Sequence, residues 1–311
     1  MPTCKLCQQV RPLRGSHIIP AFVYRWFKDT SATGYIRTVE RPNLRVQDGP
    51  AAPLLCGACE QRLATLEKRF SELIFQPCAQ GAAFDHNYGP WLAEFAASVC
   101  WRALIWAAGT GRVPHYYRSH RADVIAALEM WRTFLLAPDL PGGNPDVHFL
   151  PIGPIHGISG VGVPPNMHQY LLRVIDVEVV TGGEQSHFIY VKLGPVIFFG
   201  FIRPAPDGVW EGTAILPRGG RLPETYALPE TLFQFMCDRA RLVLKAQESI
   251  SPKQGQKIAS EWRRDPDRAA WSGTIEALRA DVETFGRGPV FGVRQDPKSS
   301  GDGPPDSRSE P

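Results

Sequence analysis

The sequence predicts an α+β protein. An N-terminal treble-clef (ββα) zinc module is followed by a larger α+β domain with helices and an antiparallel sheet. Three observations carry this. Two CxxC pairs, Cys4-Lys5-Leu6-Cys7 and Cys56-Gly57-Ala58-Cys59, bracket the first sixty residues. Apolar stripes at helical spacing recur over residues 60–137 and 228–285. Between them, from His168, the pattern changes to β-branched and aromatic runs parted by Gly182-Gly183 and Gly194-Pro195.

The first 59 residues read as short extended pieces and loops. Ala21–Lys28 is apolar and aromatic, which fits a short helix or a buried strand. Thr30-Ser31-Ala32-Thr33-Gly34 is turn chemistry, and 41–53 holds three prolines and Asp48-Gly49, as a loop or hairpin connection does. Glu60–Phe75 is a helix with Leu63, Leu66, Phe70, Leu73 and Ile74 on one stripe, ended by Pro77. Residues 78–90 connect it to the next helix, with Asn87-Tyr88-Gly89-Pro90 as the turn and Asp85-His86-Asn87 as a polar cluster or turn. Trp91–Ala108 is an apolar helix stopped by Gly109-Thr110-Gly111, and Arg121–Ala137 is another helix. His115 to His120 form a Tyr/Arg-rich loop between the two. Pro138–Pro165 is Pro/Gly-rich and reads as a long loop or linker; the glycines of 157–162 lack the strand–helix context of a phosphate loop.

Strands are expected at Tyr170–Val180, Phe188–Leu193, Val196–Ile202 and Val209–Leu216. Helices follow at Leu228–Ser249, from Ser251-Pro252 to Trp262, and at Asp267–Phe285. Gly286–Pro311 is dominated by Gly, Pro, Ser and Asp and reads as a disordered tail. The expected domains are therefore 1–76, 77–285 and the tail 286–311.

Composition bounds the class. With 43% apolar and 21% charged residues in 311, the chain is a soluble globular type, long enough for two domains. Seven cysteines, four of them in CxxC pairs, argue against a secreted disulfide framework and for a reducing, cytoplasmic compartment. The N-terminus lacks the basic-then-apolar layout of a signal peptide. Trp91–Ala108 carries Glu94 and Arg102 in too short a run for a membrane span, so a buried soluble helix is expected and no membrane partner. The net charge of +3 is unevenly spread. Residues 1–75 hold 11 Lys/Arg against 6 Asp/Glu, whereas 76–285 hold 19 against 21. That basic excess suits a polyanion partner.

Thiolates in CxxC pairs suit four-coordinate zinc, each pair filling two corners of the tetrahedron from one tight turn. Cys4, Cys7, Cys56 and Cys59 are the expected ligands. Redox CxxC pairs are the competing reading, although those come singly at a helix start. Cys78, Cys100 and Cys237 read as buried apolar residues.

These residues carry a resemblance. Cys4-x-x-Cys7, then Ser16-His17-Ile18-Ile19-Pro20, then Leu54-Leu55-Cys56-x-x-Cys59 and a helix, resembles the zinc-bearing branch of the HNH (His-Me finger) endonucleases over about the first 75 residues. The resemblance implies that His17 is the general base that takes a proton from the water attacking a phosphodiester, and that a divalent ion, Mg2+ or Mn2+, stabilises the developing charge. It also marks departures. Ser16 stands where the family has a metal-binding carboxylate or histidine. Ala51 stands at the asparagine position, so Asn43 or Asp48 upstream would serve. Glu60 replaces the closing histidine, as a carboxylate able to bind a hard cation or as an ordinary first-turn helix acid. The expected function is thus a metal-dependent HNH-like hydrolase acting on nucleic acid, with DNA as the first candidate. Its expected catalytic residues are His17, Asn43 and Glu60. The alternative is a non-catalytic zinc-stabilised module binding nucleic acid or protein. Arg14, Arg25 and Arg45 are the expected phosphate contacts. Tyr24, Trp26 and Tyr35 lie between the arginines of this segment, available to wedge or stack on bases, whereas the competing reading has Tyr24, Trp26 and Phe27 build a small core beside the zinc.

Overall fold

The computed structural model describes residues 2–82, 84–110, 119–139, 143–152, 162–182, 186–205 and 209–291. Most of the His115–His120 loop, the glycines before Gly162 and the tail 292–311 lie outside these residues. The fold is mixed α and β with antiparallel sheets.

β1 (Leu13–His17) pairs antiparallel with β2 (Ala51–Cys56), and α1 (Ala21–Asp29) lies between them in sequence. α2 (Gly57–Phe70) starts directly at the second cysteine pair and continues through a π-helical turn (Ser71–Phe75) into α3 (Gln76–Ala79). The helix thus begins three residues before the expected Glu60, because the Cys56–Cys59 knuckle itself forms its first turn. Two short pieces, β3 (Asn87–Tyr88) and β8 (Gly220–Arg221), pair with each other. α4 (Trp91–Gly109) and α5 (Arg121–Leu136) match the expected helices closely.

The main sheet has the order β4-β7-β6-β5, all antiparallel, from β4 (Val147–Pro151), β5 (Ile175–Gly182), β6 (Ser186–Leu193) and β7 (Val196–Phe201). Both faces are covered. Ile189, Val191 and Phe198 point into the core that contains α4, while Phe188, Tyr190, Ile197 and Phe199 point into a second cluster with α6 (Met167–Arg173) and α7 (Glu230–Glu248). Burial on two faces is why the β7 run is apolar without alternation. Gly200 is required there, since a Cβ would come within 2.8 Å of Cys100 and Trp131.

Several expectations change. β4 lies inside the stretch expected to be a linker. The strand expected from Tyr170 is helix α6 up to Arg173 and strand only from Ile175; Asp281 accepts the His168 and Gln169 backbone N–H groups and so caps that helix from a distant element. Val209–Leu216 is turns with a bridge from Ala214 to His148 in place of a strand. The last helix is divided at Trp271-Ser272 into α9 (Pro266–Ala270) and α10 (Gly273–Phe285), because the Ser272 side chain caps a new N-terminus through Ile275 N. α8 spans Pro252–Arg264. Residues 287–291 form a short helix, α11, in what was expected to be tail.

The larger core is contiguous from Cys4, Val23 and Phe70 through Trp101 to Phe198 and Leu222. Phe70 stacks on Phe95 at 4.1 Å and meets Phe198 at 5.4 Å, so apolar packing runs unbroken across position 76. No helix among the described residues is long and apolar enough to cross a membrane. Cys78, Cys100 and Cys237 are buried, and burial pushes the Cys78 thiol up to about 12.

Candidate functional site

The chain between Cys4 and Gln9 turns tightly. Gln8 N donates to Cys4 O, Cys4 N donates to Gln9 O, and Gln8 takes a positive φ of 58°. Lys5 N donates to Leu54 O, which brings this knuckle against the end of β2 and the start of α2. The Sγ atoms of Cys4, Cys7, Cys56 and Cys59 consequently lie within 4.8 Å of one another. Cys7 and Cys56 are separated by 3.8 Å. A disulfide requires about 2.05 Å, whereas sulfurs on a tetrahedral ion with bonds of about 2.3 Å stand about 3.8 Å apart. The four cysteines are free thiols placed to hold a metal ion. The Cys59 N–H, ahead of the neighbouring thiols, lowers the Cys56 thiol to about 7, while burial raises Cys59.

At the opposite end of β1, His17 pairs with Ala51 across the strands. Its Nε2 lies 2.9 Å from Asp48 Oδ2. Asp48 Oδ1 accepts from Gly49 N at 2.9 Å. Partial burial would raise the Asp48 carboxyl, but the His17 hydrogen bond, the Gly49 N–H and the charges of His17 and Lys28 hold it below the ordinary carboxylate range. Lys28 is itself fixed by donating to Gln47 O at 2.8 Å. Tyr24 stands beside the pair, its ring centroid 6.5 Å from that of His17, with its phenol pushed up by burial and then by the Asp48 charge. The loop folds onto this ring so closely that a Cβ on Gly49 would lie 1.9 Å from Tyr24 Cζ.

An ionised carboxylate only accepts hydrogen bonds, so in the neutral ring the imidazole proton sits on Nε2 and the lone pair on Nδ1. His17 is 29% exposed at its side chain and Asp48 52%, so the site is open to solvent. From behind, Arg102 of α4 fixes the His17 backbone: Nη1 donates to His17 O at 3.0 Å, Nε donates to Ser98 O, and Nη2 forms a 2.8 Å ion pair with Glu67 Oε1 that is not aligned as a hydrogen bond.

The other expected residues are placed differently. Ser16 is buried, and its Oγ accepts from Leu55 N where the β1–β2 register shifts after Arg14. The hydroxyl therefore completes strand pairing at the bulge. Asn43 is fastened to the α7–α8 junction, its Oδ1 accepting from Ser251 N at 2.7 Å and its Nδ2 donating to Ser249 O at 3.2 Å. Asp48, the second of the two upstream candidates, is the residue the loop brings to His17. Glu60 is in the first turn of α2, with Oε1 buried and without a hydrogen-bond partner among the described residues. It does not join His17 and Asp48: among the described residues only the four cysteines form a group of three or more such ligands. Arg14 and Arg25 are exposed on β1 and α1, and Arg14 with Arg11 lines a shallow cavity of about 450 Å3 at the start of α2. Arg45 instead lies over the Tyr35 ring at 4.4 Å and 3.5 Å from Glu261. Trp26 packs into the core against Phe27 and Phe75.

Sequence spacing did not reveal Tyr24, Lys28, Gly49 and Arg102 as parts of the His17 environment. The only available signals were the apolar–basic mixture of Ala21–Lys28 and one arginine inside an otherwise apolar helix. Compared with protein-family models, curated proteins and solved structures, the chain matches none.

Proposed function

We propose that this chain is an HNH-like endonuclease in which His17 acts as general base on a zinc-stabilised treble-clef scaffold. The observation that carries the reading is the His17–Asp48 pair at 2.9 Å, set on a β1–β2–α2 unit that the cysteine cluster closes. Four thiolates at these separations fit zinc, and with no other ligand type in the set such a site is structural.

In the proposed reaction, Asp48 holds the Nε2–H tautomer and orients the ring. Nδ1 takes the proton of a water that attacks phosphorus, the P–O bond to the leaving sugar oxygen breaks, and that oxygen takes a proton from solvent; Asp48 stabilises the imidazolium until it returns its proton to bulk water. Lys28 contributes positive charge beside a phosphate. Among the described residues, those around His17 supply one carboxylate and no third ligand, so they do not enclose a divalent ion, and the roles proposed are those of His17, Asp48 and Lys28. Whether cleavage needs Mg2+ or Mn2+ is read directly from the assay.

The fate of Ser16 favours the second reading, a binding module without catalysis. Its hydroxyl is committed to Leu55 N, which leaves that position without a metal ligand. Plasmid DNA and a labelled RNA, incubated with the full chain with and without Mg2+ or Mn2+, separate the two readings. The nuclease reading expects cleavage that His17→Ala reduces by at least about 100-fold. Equal cleavage by both proteins removes His17 from the mechanism, and no cleavage by the wild type leaves the binding module.

A further inference from the structure

A second set of polar groups lies where the loop between α1 and β2 packs on α8. Ile36 and Val46 exchange backbone hydrogen bonds, which sets Arg37 and Arg45 opposite each other on adjacent strands of chain. Both side chains are half-buried. Nε and Nη2 of Arg37 and Nε of Arg45 are buried without an acceptor among the described residues. The Arg37 guanidinium is pushed down first by burial and then by the charge of Arg45, as expected of two like charges held together.

α8 adds donors of the same kind. Gln254, Ile258, Glu261 and Trp262 fall at i, i+4, i+7 and i+8, and these positions form the covered face of the helix. The loop is anchored to this face at both ends, by Asn43 to Ser251 and by Arg45 to Glu261. Gln254, only 6% exposed, lies between the two anchors, and its Nε2 has no acceptor among the described residues. Trp262 Nε1 is in the same condition. Glu261, which pairs with Arg45, also holds Arg264 at 2.6 Å. Two guanidiniums, from Arg45 and Arg264, thus share this carboxylate, while Arg37 has no ion pair among the described residues.

Unpaired buried donors with excess positive charge are unfavourable unless an acceptor-rich anion meets them. Paired guanidinium forks with an amide donor match an oxyanion that offers several oxygens. We propose that Arg37, Arg45 and Gln254 form a phosphate-binding site, with Trp262 as a further donor. Asp48 is three residue steps along the chain from Arg45, a span of at most about 11 Å. A strand phosphate held here therefore lies near the His17 pair. That link rests on the nuclease reading, whereas the site itself does not, because binding is measured without cleavage.

The test titrates the full chain calorimetrically in phosphate-free buffer at low salt with inorganic phosphate, and separately with a short single-stranded oligonucleotide. The expected result is saturable 1:1 phosphate binding, weakened at least tenfold by Arg37→Gln and unchanged by Lys68→Gln, which removes an exposed charge elsewhere. Oligonucleotide binding that phosphate displaces identifies a strand phosphate as the ligand. Phosphate binding without oligonucleotide binding supports the site and identifies a free phosphate or phosphomonoester. If Arg37→Gln fails to fold, Gln254→Leu makes the same comparison by removing one donor while keeping the side-chain volume. Absence of saturable binding of either probe to the wild type overturns the proposal, as does equal binding by a folded Arg37→Gln or Gln254→Leu.

Discussion

His17 and Asp48 are 31 residues apart in sequence and meet at 2.9 Å, imidazole Nε2 to carboxylate Oδ2. Because Asp48 is held below the ordinary carboxylate range, it accepts and the ring donates. The geometry thereby selects the tautomer with a free lone pair on Nδ1.

Asp48→Asn tests that selection. The amide can donate to Nε2, which would put the ring proton on Nδ1 and remove the proposed base. A loss of about 10²–10⁴-fold in kcat is expected, with little change in the folded spectrum, because Asp48 is more than half exposed. Cleavage kinetics with circular dichroism as the folding control check this. Unchanged kcat would mean that Asp48 does not set the tautomer.

The metal prediction follows from the continuity of the core. Cys4, Cys56 and Cys59 are part of the same apolar cluster as Phe70, Trp101 and Phe198. Removing the metal with a chelator, or replacing Cys59 by Ser, is expected to lower the single melting transition of the whole chain. Separate melting of an N-terminal unit is not expected. Metal analysis should return about one zinc per chain for the wild type and a clear deficit for Cys59→Ser. Differential scanning calorimetry distinguishes one transition from two.

Much of the scaffold was legible in the sequence, for physical reasons. Leu63, Leu66 and Phe70 fall on one helical stripe, and two CxxC pairs are themselves short-range geometry. What was not legible depends on contacts distant in sequence. Tyr170 and Leu171 suit strands by composition, yet Asp281, more than 100 residues later, caps a helix there. The buried strand at Val147–Pro151 was obscured by the Pro and Gly on either side of it. Ser16 departs from the pattern of the family that the sequence resembles, and its bond to Leu55 N explains its presence only once the bulge between Arg14 and Gly15 is seen. Asn43 and Asp48 were equivalent candidates by spacing alone, and a loop conformation separated them. Arg102 read as a charge tolerated in an apolar helix, but it is 2% exposed and ties the His17 carbonyl to Glu67.

A third prediction concerns pH. Asp146 accepts from His148 Nε2 at 3.0 Å and from Ala205 N at 2.7 Å, while Thr213 Oγ1 lies 2.7 Å from His148 Nδ1. Burial alone would raise the Asp146 carboxyl, but these bonds and the His148 charge lower it. A lowered folded-state value contributes stability above the unfolded value of about 3.9, and that contribution disappears as pH falls through the folded value. Asp146→Ala should therefore cost about 1 kcal/mol at neutral pH, a figure at the low end because the side chain is about a third exposed. The difference from wild type should shrink below about pH 3.9. Urea unfolding at neutral and acid pH measures both; a constant difference would show that the loss comes from packing and not from the carboxylate.

The last prediction returns to the loop that carries Asp48. Gly49 lies against the Tyr24 ring, and a Cβ there would be 1.9 Å from Cζ and 2.0 Å from Oη. Tyr24 is only 5% exposed, so the ring has little room to retreat. Gly49→Ala must therefore push the loop outward, taking the neighbouring Asp48 with it. Overpacking of this kind costs about 1–3 kcal/mol. Because a displacement of about 1 Å can cost about 100-fold in a positioned site, the proposed activity should fall by more than the stability loss explains. Tyr24→Leu removes the ring atoms in question, so the double variant should recover stability relative to the sum of the two single changes, a coupling of at least about 0.5 kcal/mol. A double-mutant cycle in urea, read beside cleavage rates, makes the comparison. Strict additivity would show that the ring does not hold Gly49, and with it Asp48, in place beside His17.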